Sequence, residues 1–328
     1  MRSHAFGRLG SVSELTLGGG GLGMLWGETT EEECIATVLE AAASGITLID
    51  LAPRYGEGKA ESVVGKAFGG RLPAGVRVTS KCLLGDTPAR EVETRLRESI
   101  SESLARLHLS RLDVFFLHSN VVPDDHPMRR HPDAMRRMTP YSRFVDTVRP
   151  ALERLVAEGR IGAWGLTGIG HPDTIIRLLG ERPAPAAVQC IANLLDSPGS
   201  LKFFDGPAKP RQVIAAAKAN GVGVMGIRAV QAGALTAAID RELSPDHAEV
   251  RDYARAAGFR ALCGELGENP AILAHRYALS LDGVDTVVLS VKNRRELREC
   301  VAAAEAGPLS PALMARIDAT ADRSAMIG

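Results

Sequence analysis

Aromatic residues are scarce in this chain of 328 residues, at 4% of positions. A core built on stacked rings is therefore excluded, and the 34 glycines and 45% hydrophobic content point to small aliphatic side chains packed between strands and helices. Charge of one sign is also lacking. Lys+Arg and Asp+Glu balance at 39 each, so no net field draws the chain to nucleic acid or to an anionic membrane. The five cysteines (Cys34, Cys82, Cys190, Cys263, Cys300) are odd in number, scattered and never spaced CxxC, which argues against a disulfide framework and against a zinc site. No run of about 20 apolar residues occurs, and no basic N-terminal segment leads into an apolar one. These absences predict a cytoplasmic protein with no membrane or metal partner. They leave the oligomeric state open.

What is present is alternation. Short apolar, β-branched runs recur at Glu14–Leu17, Thr47–Asp50, Val76–Lys81, Leu112–His118, Gly162–Thr167, Ala187–Cys190, Val222–Ile227 and Asp285–Ser290. Most are apolar throughout, as strands covered on both faces must be. Helical patterns separate them. Thr29 and Glu32 suggest a capping box before Cys34–Ala43, Thr87-Pro88 heads Ala89–Leu107, and His171-Pro172-Asp173 and Asn269-Pro270 open two more. Gly45, Gly159 and Gly221 stand where helices should end. Eight strand–helix units with no linker predict one domain over residues 1–328, closed as a (β/α)8 TIM barrel.

Two segments depart from the repeat. Ser119–Pro140 is a long strand-4 loop dense in charge, carrying Asp124, Asp125, His126, Arg129, Arg130, His131, Arg136 and Arg137. Loops of that length are functional, mobile or simply solvated. Asp246–Gly267 adds an extra helical stretch before strand 8. A third feature is a decoy. Gly18, Gly20 and Gly23 spell GxGxxG after a strand, with Asp50 ending the next, which outlines a dinucleotide fingerprint of the doubly wound kind. Met24–Glu28 intervene before any helix, and eight evenly spread units do not fit that fold. Close backbone packing is the simpler role for these glycines.

In such a barrel, strand C-termini converge on the face where active sites are built. Asp50 ends strand 2, Lys81 strand 3 and His118 strand 4, while Tyr55 follows in a loop that Pro53 and Gly56 can turn back over the mouth. Any one of these residues alone reads as a solvated or capping group. Together they make a proton-delivery unit. Carbonyl reduction needs a hydride on carbon and a proton on oxygen, and a free phenol of pKa about 10 is a poor donor. A cation about 4 Å away stabilises phenolate by about 4 kcal/mol at an effective dielectric of about 20, or about three pKa units. Lys81 is placed to supply that cation, Asp50 to hold it, and His118 to orient the substrate oxygen.

At these residues the chain resembles the aldo-keto reductase superfamily, and the resemblance runs from about Leu15 to Arg298. The family's Asp-(x)4-Tyr-Gly segment looks like Asp50 to Tyr55-Gly56, followed by Glu57–Glu61. Its strand-3 lysine falls on Lys81, and its strand-4 Asp-(x)4-His pattern on Asp113 to His118. The resemblance implies a barrel, an Asp–Tyr–Lys–His tetrad and a nicotinamide dinucleotide without metal.

Cofactor contacts implied in the same way fall at Gly21, Leu22, Thr167, Gln189, Ile227, Arg228, Ser290, Lys292 and Glu296. Thr167-Gly168 replaces a Ser-Asn, and Gln189 matches the carboxamide-binding glutamine, with Asn193 following. Ile227 stands where a stacking tyrosine is usual, and Arg228, beside it, is suited to pair with phosphate. Lys292, with Arg294 and Arg295 adjacent, favours NADP, while Glu296 would repel a 2′-phosphate and accept from a 2′-hydroxyl. The implied cofactor is NADP, with NAD as the alternative.

The loops place Trp26, Arg54 and Arg129 as substrate contacts, with Arg136 and Tyr141 near them, which suits a polar or anionic carbonyl compound or sugar. The reading is an NAD(P)-dependent oxidoreductase acting on an aldehyde, ketone or sugar, with Tyr55 as general acid/base. Two other classes compete: a Schiff-base lyase using Lys81, which would not need Tyr55, and a non-catalytic subunit that senses bound cofactor. Cys82 and Cys190, beside Lys81 and Gln189, read as packing.

Overall fold

The computed structural model describes residues 1–127 and 135–321. Eight parallel strands close a barrel: β1 (Leu15–Gly18), β2 (Leu48–Asp50), β3 (Arg77–Cys82), β4 (Leu112–Leu117), β5 (Ile161–Thr167), β6 (Ala187–Ile191), β7 (Gly223–Ile227) and β8 (Thr286–Leu289). Neighbours in sequence are neighbours in space, and β8 returns to pair with β1 through Leu289 and Leu17. The (β/α)8 expectation holds, and every strand lies within one or two residues of its apolar run.

Alternation along each strand sets what faces the axis. Leu48, Val114, Phe116, Ala187 and Met225 pack together inside the barrel. Their neighbours Ile49, Phe115, Leu117, Val188 and Val224 join the larger core outside it, under the helices. Each such burial contributes about 1.5–3 kcal/mol. The inward set fixes the site. Asp50 lies two residues beyond Leu48, and Lys81 pairs in register with Phe116, so both face the interior one layer above the apolar floor. Gly165 leaves the room that Phe116 needs, since a Cβ there would sit 2.4 Å from the phenylalanine ring.

An N-terminal hairpin, Ser3–Ala5 with Ser11–Ser13, closes the bottom of the barrel. It inserts Phe6 and Val12, both fully buried, into the floor cluster. The apolar-run criterion misses this hairpin because its strands are short and polar.

Helix ends follow their chemistry. Thr30, not Thr29, caps Glu31–Ala43 by accepting from Glu33 N at 3.2 Å, and Asn269 caps Pro270–Leu279. The extra segment before β8 folds as two helices, Ala248–Arg255 and Ala257–Leu266. The strand-4 loop has structure where it is described: Asn120–Val122 pairs in parallel with Met138–Pro140. Among the described residues, no helix is long and apolar enough to cross a membrane.

Candidate active site

Lys81 is fully buried and saturated. Its Nζ donates to Asp50 Oδ1 at 2.7 Å, to Asp50 Oδ2 at 2.8 Å and to Leu51 O at 2.8 Å, and it stands 3.4 Å from Tyr55 Oη. Asp50 Oδ1 also accepts from Thr79 Oγ1 at 2.7 Å and Gln189 Nε2 at 2.8 Å. A buried charge pair is tolerable only when its remaining lone pairs and protons are met in this way. The His118 ring lies edge-on to Tyr55, with centroids 6.1 Å apart and planes at 83°. The structure therefore brings the four expected residues together at one mouth.

The glycine run at the end of β1 seats Tyr55. A Cβ on Gly19 would come within 3.0 Å of Tyr55 Cδ2, and one on Gly23 within 2.5 Å of Tyr55 C. Gly56 answers from the other side, where a Cβ would lie 2.4 Å from Gly23 O. The GxGxxG glycines thus serve close packing, Gly18 against Leu289 of β8, Gly20 against Trp26 and Gly23 against the β2 loop. Gly21 serves the same purpose toward β8, since a Cβ there would sit 1.9 Å from Val291 O. The Leu22 side chain is wholly in the core, so it offers no contact to a ligand.

Electrostatics correct one expectation. Burial raises the Tyr55 phenol above its ordinary pKa of 10.0, and the nearby Lys81 charge, opposed by Asp50, does not reverse that. The Asp50 carboxylate offsets part of the lysine's field, and burial outweighs what remains. Tyr55 is held as a neutral proton donor, not as a phenolate. Burial would depress Lys81 as well, but Asp50 and Tyr55 overcome it and the ammonium's pKa is raised. His118 is pushed well below 6.5 by burial first, then by the charges of Lys81, Arg54 and Arg137. It is a neutral imidazole with one N–H to give.

A cavity beside His118 is lined by Arg54, Asn120 and Arg137, with Leu83, Ile169 and Phe203 as its apolar side. Arg54 was expected there. Arg137 was noted only as one charge of the long loop and Asn120 not at all, and the pairing of the 120–122 and 138–140 strands places them. Trp26 is 36% exposed and packs over Gly20 at the rim. Arg129 lies outside the described residues. Tyr141 serves the surface instead, donating to Glu181 Oε1 at 2.5 Å beneath Arg177.

Most of the polar positions expected to meet the cofactor are engaged by internal partners. Thr167 Oγ1 donates to Leu117 O at 2.8 Å. Asn193 folds a turn, accepting from Leu195 N and Ser197 N at 3.1 and 3.2 Å. Arg228 is bonded to Glu249 Oε1 at 2.6 Å and to Gln231 Oε1 at 2.8 Å. Burial raises Glu249 in isolation, but hydrogen bonds from Ser200 and Arg228 bring it down to about 2. Lys292 pairs with Glu296 at 2.9 Å, and Arg294 with Glu33 at 2.9 Å. Ser290 is exposed and Ile227 half-buried at the same rim. The Arg228–Glu249 pairing, 21 positions apart, left no signal in the sequence.

The sequence pattern of the aldo/keto reductase family matches residues 14–322. L-galactose dehydrogenase of Arabidopsis thaliana is 27% identical over 303 residues, 92% of this chain and 87% of that protein. The NADH-specific methylglyoxal reductase of Escherichia coli (strain K12) is 28% identical over 242 residues, 69% of this chain and 65% of that protein. In structure the chain is similar to an aldo-keto reductase from Klebsiella pneumoniae in complex with NADPH, with a TM-score of 0.68 and 20% identity, covering 97% of this chain and 94% of that one. A match of the family pattern over nearly the whole length, on a barrel of the same topology, leaves one conclusion: the chain belongs to the aldo/keto reductase family and is an oxidoreductase.

Proposed function

We propose that this enzyme interconverts a small carbonyl compound or sugar and its alcohol, with Tyr55 as general acid in reduction and general base in oxidation. The contact that carries the reading is Lys81 Nζ, clamped by Asp50 and 3.4 Å from Tyr55 Oη. The substrate oxygen lies between the phenol and the His118 N–H. Tyr55 gives its proton to that oxygen as negative charge develops there, and Lys81 stabilises the phenolate left behind. At 3.4 Å the attraction is about 5 kcal/mol for an effective dielectric of about 20, before the opposing Asp50 charge is counted. The raised pKa of Tyr55 fits the donor role, and the neutral imidazole of His118 fits a positioning donor.

A bound nicotinamide dinucleotide supplies the hydride. The rim from β5 to β8 fits such a molecule in donor type: Gln189 for a carboxamide, and Arg228 and Lys292 for phosphates. Each cation now balances a carboxylate, Glu249 or Glu296, so binding a phosphate requires an exchange of partners. NADP is the assigned cofactor, with NAD admitted by Glu296. The relatives' names span both, one NADH-specific and one bound to NADPH. A Schiff base on Lys81 finds no support in the site, because a buried ammonium of raised pKa with three hydrogen-bond partners is no free amine.

Turnover of aldehydes and sugars, followed by the absorbance of NADPH and NADH, tests the reading. Oxidation of either cofactor by a carbonyl compound supports it. Cofactor binding with no turnover of any carbonyl or alcohol would make the chain a sensor instead.

A further inference from the structure

Among the described residues, the cavity beside His118 is lined by two cations, Arg54 and Arg137, and by no carboxylate. Among the described residues, neither guanidinium lies within ion-pair distance of a carboxylate. Many other arginines hold a carboxylate, as Arg97 holds Glu158, Arg154 Glu93, Arg211 Asp196 and Arg228 Glu249, while Arg8, Arg77 and Arg143 are spent on backbone carbonyls. The backbone that carries each of these charges is held, and the Arg54 side chain is exposed at the cavity. Arg54 immediately precedes Tyr55 in the loop locked by Gly23 and Gly56. Arg137 adjoins the parallel ribbon, its carbonyl accepting from Asn120 N at 2.7 Å, and its guanidinium lies 5.9 Å from the centre of the Phe203 ring. Both fields reach the same point, since both depress the basicity of His118.

We infer that the substrate is an oxo-acid, a short-chain carbonyl compound whose carboxylate is held by Arg54 and Arg137 while its carbonyl meets Tyr55 and His118. This rests on the carbonyl-reduction reading of the same site. Two guanidiniums facing one cavity repel each other, and a neutral sugar leaves that repulsion in place. A carboxylate relieves it and matches the fork of guanidinium donors. Leu83, Ile169 and Phe203 supply an apolar wall for the short carbon chain between the two ends.

The test compares 4-oxobutanoate with butanal, which share chain length and differ in charge, using the NADPH-loaded enzyme. The expected result is a kcat/KM at least about tenfold higher for the acid, a preference that shrinks as salt is raised. In Arg137→Gln and Arg54→Gln the acid-to-neutral ratio falls about tenfold or more, chiefly through KM, and Arg137→Lys restores part of it. Succinate, which lacks the carbonyl, inhibits wild type competitively and Arg137→Gln more weakly, a readout that does not depend on catalysis. Butanal reduced as well as the acid would overturn the inference while leaving carbonyl reduction intact. Glyceraldehyde 3-phosphate preferred to 4-oxobutanoate would overturn the carboxylate in favour of a phosphate. No turnover of any carbonyl compound would overturn the reading beneath it, and the inference with it.

Discussion

Gln189 donates from Nε2 to Asp50 Oδ1 across 2.8 Å. A residue expected to hold the nicotinamide carboxamide is therefore wired into the carboxylate that anchors Lys81. With one N–H on Asp50, Gln189 keeps its second N–H and Oε1 for a ligand. We expect Gln189→Leu to weaken cofactor binding about 3- to 10-fold and also to slow the chemical step, because Asp50 loses one of its buried donors. Equilibrium cofactor titration and single-turnover rates separate the two effects. A change confined to binding would break the proposed link.

The proton unit has a definite pH signature. Tyr55 is raised above 10.0 and His118 lowered well below 6.5, so both stay in their reducing-direction forms across neutrality. The rate of reduction, as kcat/KM, should be flat from about pH 6 to about pH 9, while oxidation rises with pH because phenolate must first form. A reduction profile that falls with a midpoint near pH 7 would contradict this.

Removing Lys81's charge should unfold as well as inactivate. Lys81→Met leaves Asp50 buried without its cation and is expected to cost about 3–5 kcal/mol, a fall in Tm of about 5–15 °C. Because the folded-state pKa of Lys81 lies above its ordinary 10.5, the ion pair's contribution is complete below that value and is lost only at higher pH. The gap in stability between wild type and variant should accordingly be constant from about pH 6 to about pH 9. Thermal melts across that range check it.

Glu249 titrates at the opposite extreme. Its pKa of about 2 lies below the ordinary 4.5, so the stability it contributes is present above about pH 4.5 and lost as pH falls toward about 2. Glu249→Gln should remove that acid-sensitive component and destabilise the fold by about 3–5 kcal/mol, since it leaves Arg228 buried and unpaired. Acid-unfolding curves of the two proteins would show it.

Cofactor choice turns on Lys292. With Glu296 only 2.9 Å away, its charge is already balanced. Glu296→Gln frees it and should improve KM for NADPH about tenfold relative to NADH. An unchanged ratio would place the 2′-phosphate elsewhere.

The barrel was legible because its strands are buried on both faces and so read as apolar runs, and because three tetrad residues sit at their ends. Tyr55 was legible from its spacing to Asp50. Contacts made by loops were not. Arg137 reaches the cavity only because Asn120 and Met138 pair, and Arg228 meets Glu249 only after the extra helices fold back. The N-terminal hairpin escaped notice because its strands, Ser-His-Ala and Ser-Val-Ser, carry a core role through Phe6 and Val12 alone. The lowered Tyr55 pKa failed as an expectation because burial raises the phenol first, and Asp50, needed to hold Lys81, offsets part of the lysine's field.

Tyr55→Phe tests the account most directly, because it deletes one oxygen and its proton while leaving the ring against Gly19. The rate of hydride transfer in a single turnover, measured beside the cofactor dissociation constant, is the decisive pair. The account predicts a loss of about 10²–10⁴ in rate with the dissociation constant changed less than about twofold. A variant that keeps most of its rate would contradict the assignment of Tyr55 as the proton donor.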